Sequence, residues 1–208
     1  MSAKLIQRIV EAVIFIFFIG AFLQVGRATA AIFDGEFGTL YWPVQAGAYG
    51  LEAAVGDRAK ALFVDANLAV SGQPFWHGVD LLFSLAMIGI YITVLMLVRK
   101  VLTRFAKGDF VTGDTAANLR KIGYVLLAAC VLSVLHALTV QTAILAAVEP
   151  VAGTVLHPSI SWDVDGVTNI WLHYSPPIVT FLLAGLALLF AEAMRAGADY
   201  RQDSESVV

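Results

Sequence analysis

The sequence predicts an all-α fold, a four-transmembrane-helix integral membrane bundle that forms a single membrane domain over residues 1–208. Three observations predict it. Of the 208 residues, 59% are hydrophobic and only 14% are charged, where a soluble domain carries about 25% charged residues. Four apolar runs, at 9–25, 79–98, 122–148 and 178–194, reach or approach the roughly 20 residues a helix needs to cross a hydrocarbon core. The cations are also segregated. The stretch 99–121 between the second and third runs holds Arg99, Lys100, Arg104, Lys107, Arg120 and Lys121, six of the thirteen in the chain. A short basic loop flanked by apolar segments stays on the cytoplasmic side of a membrane.

The first helix is expected at about 5–26, with Glu11 inside its apolar run and Lys4 and Arg8 before it. Basic residues, an apolar core and Ala28-Thr29-Ala30 also fit a cleaved signal peptide. Both readings place residue 31 outside. An extended outer loop follows at 27–77, in which Leu51, Val55, Arg58, Ala59, Leu62 and Phe63 recur at helical spacing. A short amphipathic helix on the membrane surface is one reading of this loop, and a small folded cap on the bundle is the other. Tyr41, Trp42, Phe75 and Trp76 suit an interfacial aromatic belt.

The second helix is expected at about 78–107, because Val98, Val101, Leu102 and Phe105 prolong one apolar face beyond the apolar run. Gly108 is placed to end it, glycine being the residue that most easily takes the left-handed conformation. An inner loop at 108–113 leads to a third helix at about 114–148, with Thr112 as its cap and Asp114 near its positive end. A second outer loop spans 149–176. Pro176 and Pro177 open a fourth helix at about 177–197, proline being tolerated in a first turn. A cytoplasmic tail, 198–208, closes the chain. This arrangement puts ten cations inside, the six above with Lys4, Arg8, Arg195 and Arg201, against Arg27, Arg58 and Lys60 outside. Both termini are then cytoplasmic in a multi-pass protein of a bacterial inner membrane.

Ionisable groups inside apolar helices are functional candidates. Glu11 and Glu192 fall near the inner helix ends, each with an arginine three residues away, Arg8 and Arg195. That spacing reads as a neutralised pair on one helix face, with a proton or cation shared by the two glutamates as the alternative. His136 lies about nine residues inside the outer end of the third run, roughly 13 Å at 1.5 Å per residue. Asp80 is near the outer end of the second, so the two are expected not to touch. His136 then bonds a neighbouring hydroxyl or carbonyl, with a proton-responsive histidine as the alternative. His77, His157, His173, Asp163 and Asp165 in the outer loops have no spacing typical of a metal site. No phosphate-binding glycine loop, G-x-S-x-G or H-E-x-x-H is present. Neither an enzyme, a cofactor nor direct contact with nucleic acid is expected.

The inner loop carries Gly108, Asp109, Phe110, Thr112, Asn118, Leu119, Arg120, Ile122 and Gly123, and the tail carries Glu192, Arg195, Gly197, Asp203, Glu205 and Val208. Over roughly 80–145 and 178–208 this pattern resembles the bacterial membrane family known as domain of unknown function 2975. Val111 and the pair Gly113-Asp114 depart from it, and the first outer loop has no counterpart. The resemblance implies a four-helix membrane protein and a cytoplasmic helix-turn-helix regulator as partner. A regulatory membrane protein is thus favoured, with Leu102, Phe105, Phe110, Thr112 and Arg120 as the docking face. A small transporter or channel using Glu11, His136 or Glu192, and an accessory subunit of a larger complex, are the competing classes.

The charge distribution yields one direct test. In a Cys130→Ser background, a cysteine placed at Thr112 is expected to react with membrane-permeant maleimide and to be protected from an impermeant one in intact cells. Labelling by the impermeant reagent alone would reverse the topology.

Overall fold

Each apolar run forms one helix. The computed structural model describes residues 3–34, 37–47, 63–108, 112–148, 154–158 and 167–206. Among them the order is α1 (Ala3–Asp34), β1 (Leu40–Gly47), β2 (Phe63–Val70), α2 (Pro74–Ala106), α3 (Gly113–Ala147), β3 (Thr154–His157), β4 (Thr168–Leu172) and α4 (Ile178–Ser206). All four helices are long and apolar enough to cross a membrane. The bounds of α2 and α3 follow the sequence reading closely. Two ends run further than hydropathy implied. Helix α1 continues through the alanine-rich stretch after Arg27, and α4 continues through the polar tail. Hydropathy marks where a helix is apolar, whereas alanine, arginine and glutamine sustain a helix without being buried.

Contacts divide the chain into two units, one of Met1–Arg27, Phe83–Val134 and Pro177–Val208, the other of Ala28–Leu82 and Leu135–Pro176. In the first unit, Val101 of α2, Ile122 and Leu126 of α3 and Ala184 of α4 form a buried core, with Val98, Phe105 and Leu119 packed against it. The α2–α3 connection has the stop and start expected. Gly108 takes a φ of 83°, and the backbone N–H groups of Lys107 and Gly108 close the helix onto Arg104 and Phe105. The Thr112 carbonyl accepts from the N–H groups of Thr115 and Ala116, and the Thr112 hydroxyl accepts from Thr115 N at 3.3 Å. Helices α3 and α4 meet at a glycine. A Cβ added to Gly123 would lie 2.6 Å from Leu188 Cγ and 3.1 Å from the Ala184 carbonyl oxygen.

The second unit corrects the all-α expectation, because it contains a four-stranded sheet of order β2-β1-β4-β3. Strand β1 pairs antiparallel with β2 from Leu40↔Val70 to Gly47↔Phe63, and antiparallel with β4 from Val44↔Leu172 to Gly47↔Asn169. Strand β3 runs parallel to β4. Alternation explains β1. Leu40, Trp42 and Val44 are buried while Tyr41 and Pro43 are exposed, the two-residue period of a strand with one covered face. That face packs with Ala137, Val140, Ala143 and Ile144 of α3 and with Leu172 of β4. Trp42, assigned by sequence to an aromatic belt, is therefore a core residue with 8% exposure.

Pro43 is unusual in a strand flanked on both sides, since it has no N–H for the ladder. It lies one residue beyond the β1–β4 pairing. There its carbonyl accepts from His173 N at 2.9 Å, and the reciprocal acceptor, the His173 carbonyl, is served instead by the indole Nε1–H of Trp42 at 2.9 Å. The side chain of one residue thus replaces the N–H its neighbour lacks. Phe63, placed by sequence in an amphipathic helix, opens β2. The remainder of that segment, 48–62, lies outside the described residues.

The glycine contact predicts a contrast between two equivalent changes. Gly123→Ala forces Leu188 to move and crowds a backbone oxygen, and is expected to destabilise by about 1–3 kcal/mol. Gly89→Ala, at a position with nothing within 4 Å, is expected to be neutral or slightly stabilising by its higher helix propensity. Thermal unfolding in the same detergent checks both, and equal effects would contradict the close approach of α3 and α4.

Candidate functional site

The charged residues that the sequence places near the helix ends are joined across helices in the first unit. Arg99 of α2 meets Glu11 of α1 at 2.7 Å. Arg104 of α2 meets Asp114 of α3 at 2.8 Å. Arg120 of α3 meets Glu192 of α4 at 2.5 Å. The pairs run consecutively, α1 to α2 to α3 to α4. This revises the sequence reading, which paired each glutamate with an arginine on its own helix. Glu11 is bound by Arg99. Arg195 does reach Glu192, but only at 4.0 Å, where the shorter Arg120 contact dominates. Spacing within one helix reveals partners three or four residues away; it is blind to a guanidinium on the next helix.

Beside these pairs lies a groove of about 820 Å³. One face of α2 supplies most of its wall, with Met96, Arg99, Lys100, Thr103, Arg104 and Lys107 at alternating intervals of three and one. These positions return to the same side of a 3.6-residue helix. Glu11 and Ile14 close it from α1, and Asn118 closes it from α3. Among the described lining residues, four cations therefore face one carboxylate. Lys100 and Arg104, four residues apart, are like charges on one helix face, an arrangement that costs a few tenths of a kcal/mol unless an anion offsets it.

A second polar cluster lies in the other unit. His136 Nε2–H donates to Asp80 Oδ1 at 2.6 Å, and the imidazole lies 5.9 Å from the Trp42 ring centroid at a tilt of 57°. The expectation that Asp80 and His136 stay apart is thus overturned. It counted depth from the end of the apolar run, as though all of α3 were span. The last turns of α3 instead pack with the sheet through Ala137, Val140 and Ile144, which brings His136 level with the start of α2. Two of the remaining histidines are held by ordinary contacts. His77 Nδ1–H donates to the Thr39 carbonyl at 3.0 Å, and His157 Nε2–H donates to Asn169 Oδ1 at 2.7 Å with its ring stacked near Trp171. Among the described residues no three His, Cys, Asp or Glu side chains gather as metal ligands.

The residues assigned to docking have mixed placements. Phe105 packs against the core of the first unit, Leu102 is half-buried, Thr112 caps α3, and Arg120 binds Glu192. Phe110, Asp163 and Asp165 lie outside the described residues. No protein-family model, curated protein or solved structure matches the chain.

The Asp80–His136 contact is open to a double-mutant cycle. Asp80→Asn and His136→Gln are each expected to destabilise, and the double variant to lose less than their sum, with a coupling of about 1 kcal/mol. Additive losses measured by chemical unfolding would show that the two side chains do not act as a pair.

Proposed function

We propose that this chain is a multi-pass protein of a bacterial inner membrane, with both termini cytoplasmic, that works by binding a cytoplasmic partner at the α2–α3 end of its helices. The observation that carries the reading is the chain of three inter-helix ion pairs, Glu11–Arg99, Arg104–Asp114 and Arg120–Glu192, around a connection stopped by Gly108 and started by Thr112. A binding surface works best on elements whose geometry is already fixed. Here the fixed geometry coincides with the most basic part of the sequence, which the positive-inside tendency assigns to the cytoplasm. Phe105, Thr112 and Arg120 build the platform in this reading, and Phe110 is the contact residue. The class of partner, a small helix-turn-helix regulator, is proposed from the resemblance of the inner loop and tail to the domain of unknown function 2975 proteins. No catalytic step is proposed.

One observation favours a second reading, a small proton-coupled transporter. Asp80 and His136 form a carboxylate–imidazole pair between two membrane-length helices, and a carboxylate–histidine pair at the mouth of a helix bundle is the kind of group that passes protons into a transport path.

The regulatory reading is tested by cross-linking in cells with a photoreactive residue at Lys107, followed by identification of the captured protein. A discrete soluble adduct is expected with the native loop, and Phe110→Ala is expected to abolish it while the protein still inserts and folds. Absence of any adduct, together with proton uptake in proteoliposomes that Asp80→Asn abolishes, would replace this reading with the transporter.

A further inference from the structure

The basic groove between α1, α2 and α3 is more than a charged edge of the bundle. We propose that it is a binding site for the phosphate of an anionic phospholipid. This inference rests on the membrane reading above but does not require a protein partner.

Charge comes first. Arg99, Lys100, Arg104 and Lys107 line the groove, with Glu11 as the one carboxylate among the described lining residues. Glu11 engages Arg99, and Asp114, from outside the lining, engages Arg104. Among the described residues, the lining offers Lys100 and Lys107 no further acid. Both are exposed and stand seven residues apart, two turns along one side of α2. An oxyanion between them would sit within reach of two flexible ammonium groups, which bind phosphate as point charges. Asn118 adds an amide N–H donor from α3.

Shape comes second. The groove's volume of about 820 Å³ is far more than one phosphate ion fills. Its apolar wall is made by Ile14 and Met96. From Ile14 the exposed face of α1 continues through Phe15, Phe18 and Phe22, which are 66%, 52% and 79% exposed. A ligand that matches both parts carries a phosphate at one end and hydrocarbon at the other. A soluble phosphate ester satisfies only the first part. Basic pockets between helices on the cytoplasmic side are where anionic headgroups are held.

The test uses the full chain purified in an uncharged detergent and offered equimolar phosphatidylglycerol and phosphatidylcholine, with retained lipid read by native mass spectrometry. Selective retention of phosphatidylglycerol is expected. Each lysine near an anionic headgroup contributes about a fivefold preference, so Lys100→Gln with Lys107→Gln is expected to lower the selectivity by roughly 25-fold, while the Lys100→Arg, Lys107→Arg pair keeps it. Equal retention of the two lipids by the native chain would overturn the proposal, as would native selectivity in the glutamine variant. If millimolar inorganic phosphate displaces the lipid and protects the chain from thermal unfolding equally well, the site takes a soluble phosphate and the lipid assignment fails. Resistance to alkaline extraction from membranes is measured on the same preparation. Extraction of the native chain would sink the membrane reading, whereas lost selectivity in a chain that resists extraction sinks only the site.

Discussion

Helix α3 is the element that both cores require. Its early turns give Ile122 and Leu126 to one core, and its late turns give Ala137, Val140, Ala143 and Ile144 to the other. A helix satisfies its own backbone hydrogen bonds, so what decides how closely it meets a neighbour is the size of its side chains. Along α3 several small residues sit at tight contacts. Gly123 admits the Ala184 carbonyl and Leu188, while Ala129, Ala137 and Ala143 are almost wholly buried. Association of apolar helices through small residues gains dispersion contact at short range. It also tolerates little change, because one added methyl has no space to enter.

Against this packing the ion pairs act differently. Their side chains are substantially exposed, 37% and 61% for Arg120 and Glu192 and 49% and 44% for Arg99 and Glu11. Pairs of that exposure contribute about 1 kcal/mol or less in water. Their effect is on register. A guanidinium and a carboxylate meet only when the two helices have the right rotation and height, so three consecutive pairs select one arrangement of four helices that apolar contacts alone would leave loosely specified. The same pairs place the cations of α2 along a common groove instead of spreading them round the helix.

The helices were legible because a long apolar run has few other solutions, and the α2–α3 connection was legible because glycine and threonine each have a specific backbone use there. The sheet was not. Among the described side chains its inward face in β1 is Leu40, Trp42 and Val44, with Pro43 between them on the outward face, and β3 has four residues. A proline in such a run argues against a strand with two neighbours, and nothing local reveals that Trp42 and His173 will supply the missing hydrogen bond. Tyr41-Trp42 then looks like an interfacial pair. The candidate site was half legible. Glu11, His136, Glu192 and the cations of α2 were visible as residues, but their partners, Arg99, Asp80 and Arg120, lie between 56 and 88 positions away in sequence. Which of several distant charges will meet is decided by how helices pack, and that information is spread over every residue of the core.

The way the sheet is threaded sets an order of events in synthesis. Strands β1 and β2 are neighbours in sequence, but the strand that flanks β1 on its other side comes only after α2 and α3. Val44 therefore waits for Leu172, 128 positions later. Until then one edge of β1 has open N–H and C=O groups, and an open edge is a template for pairing with another chain. Pro43 sits at that edge and cannot donate to an incoming strand, so the residue that complicates the finished ladder also shields the unfinished one. A ribosome delivering this chain at about 5–20 residues per second leaves the edge open for several seconds at least. Within that interval the nascent hairpin depends on its own geometry for protection from its neighbours.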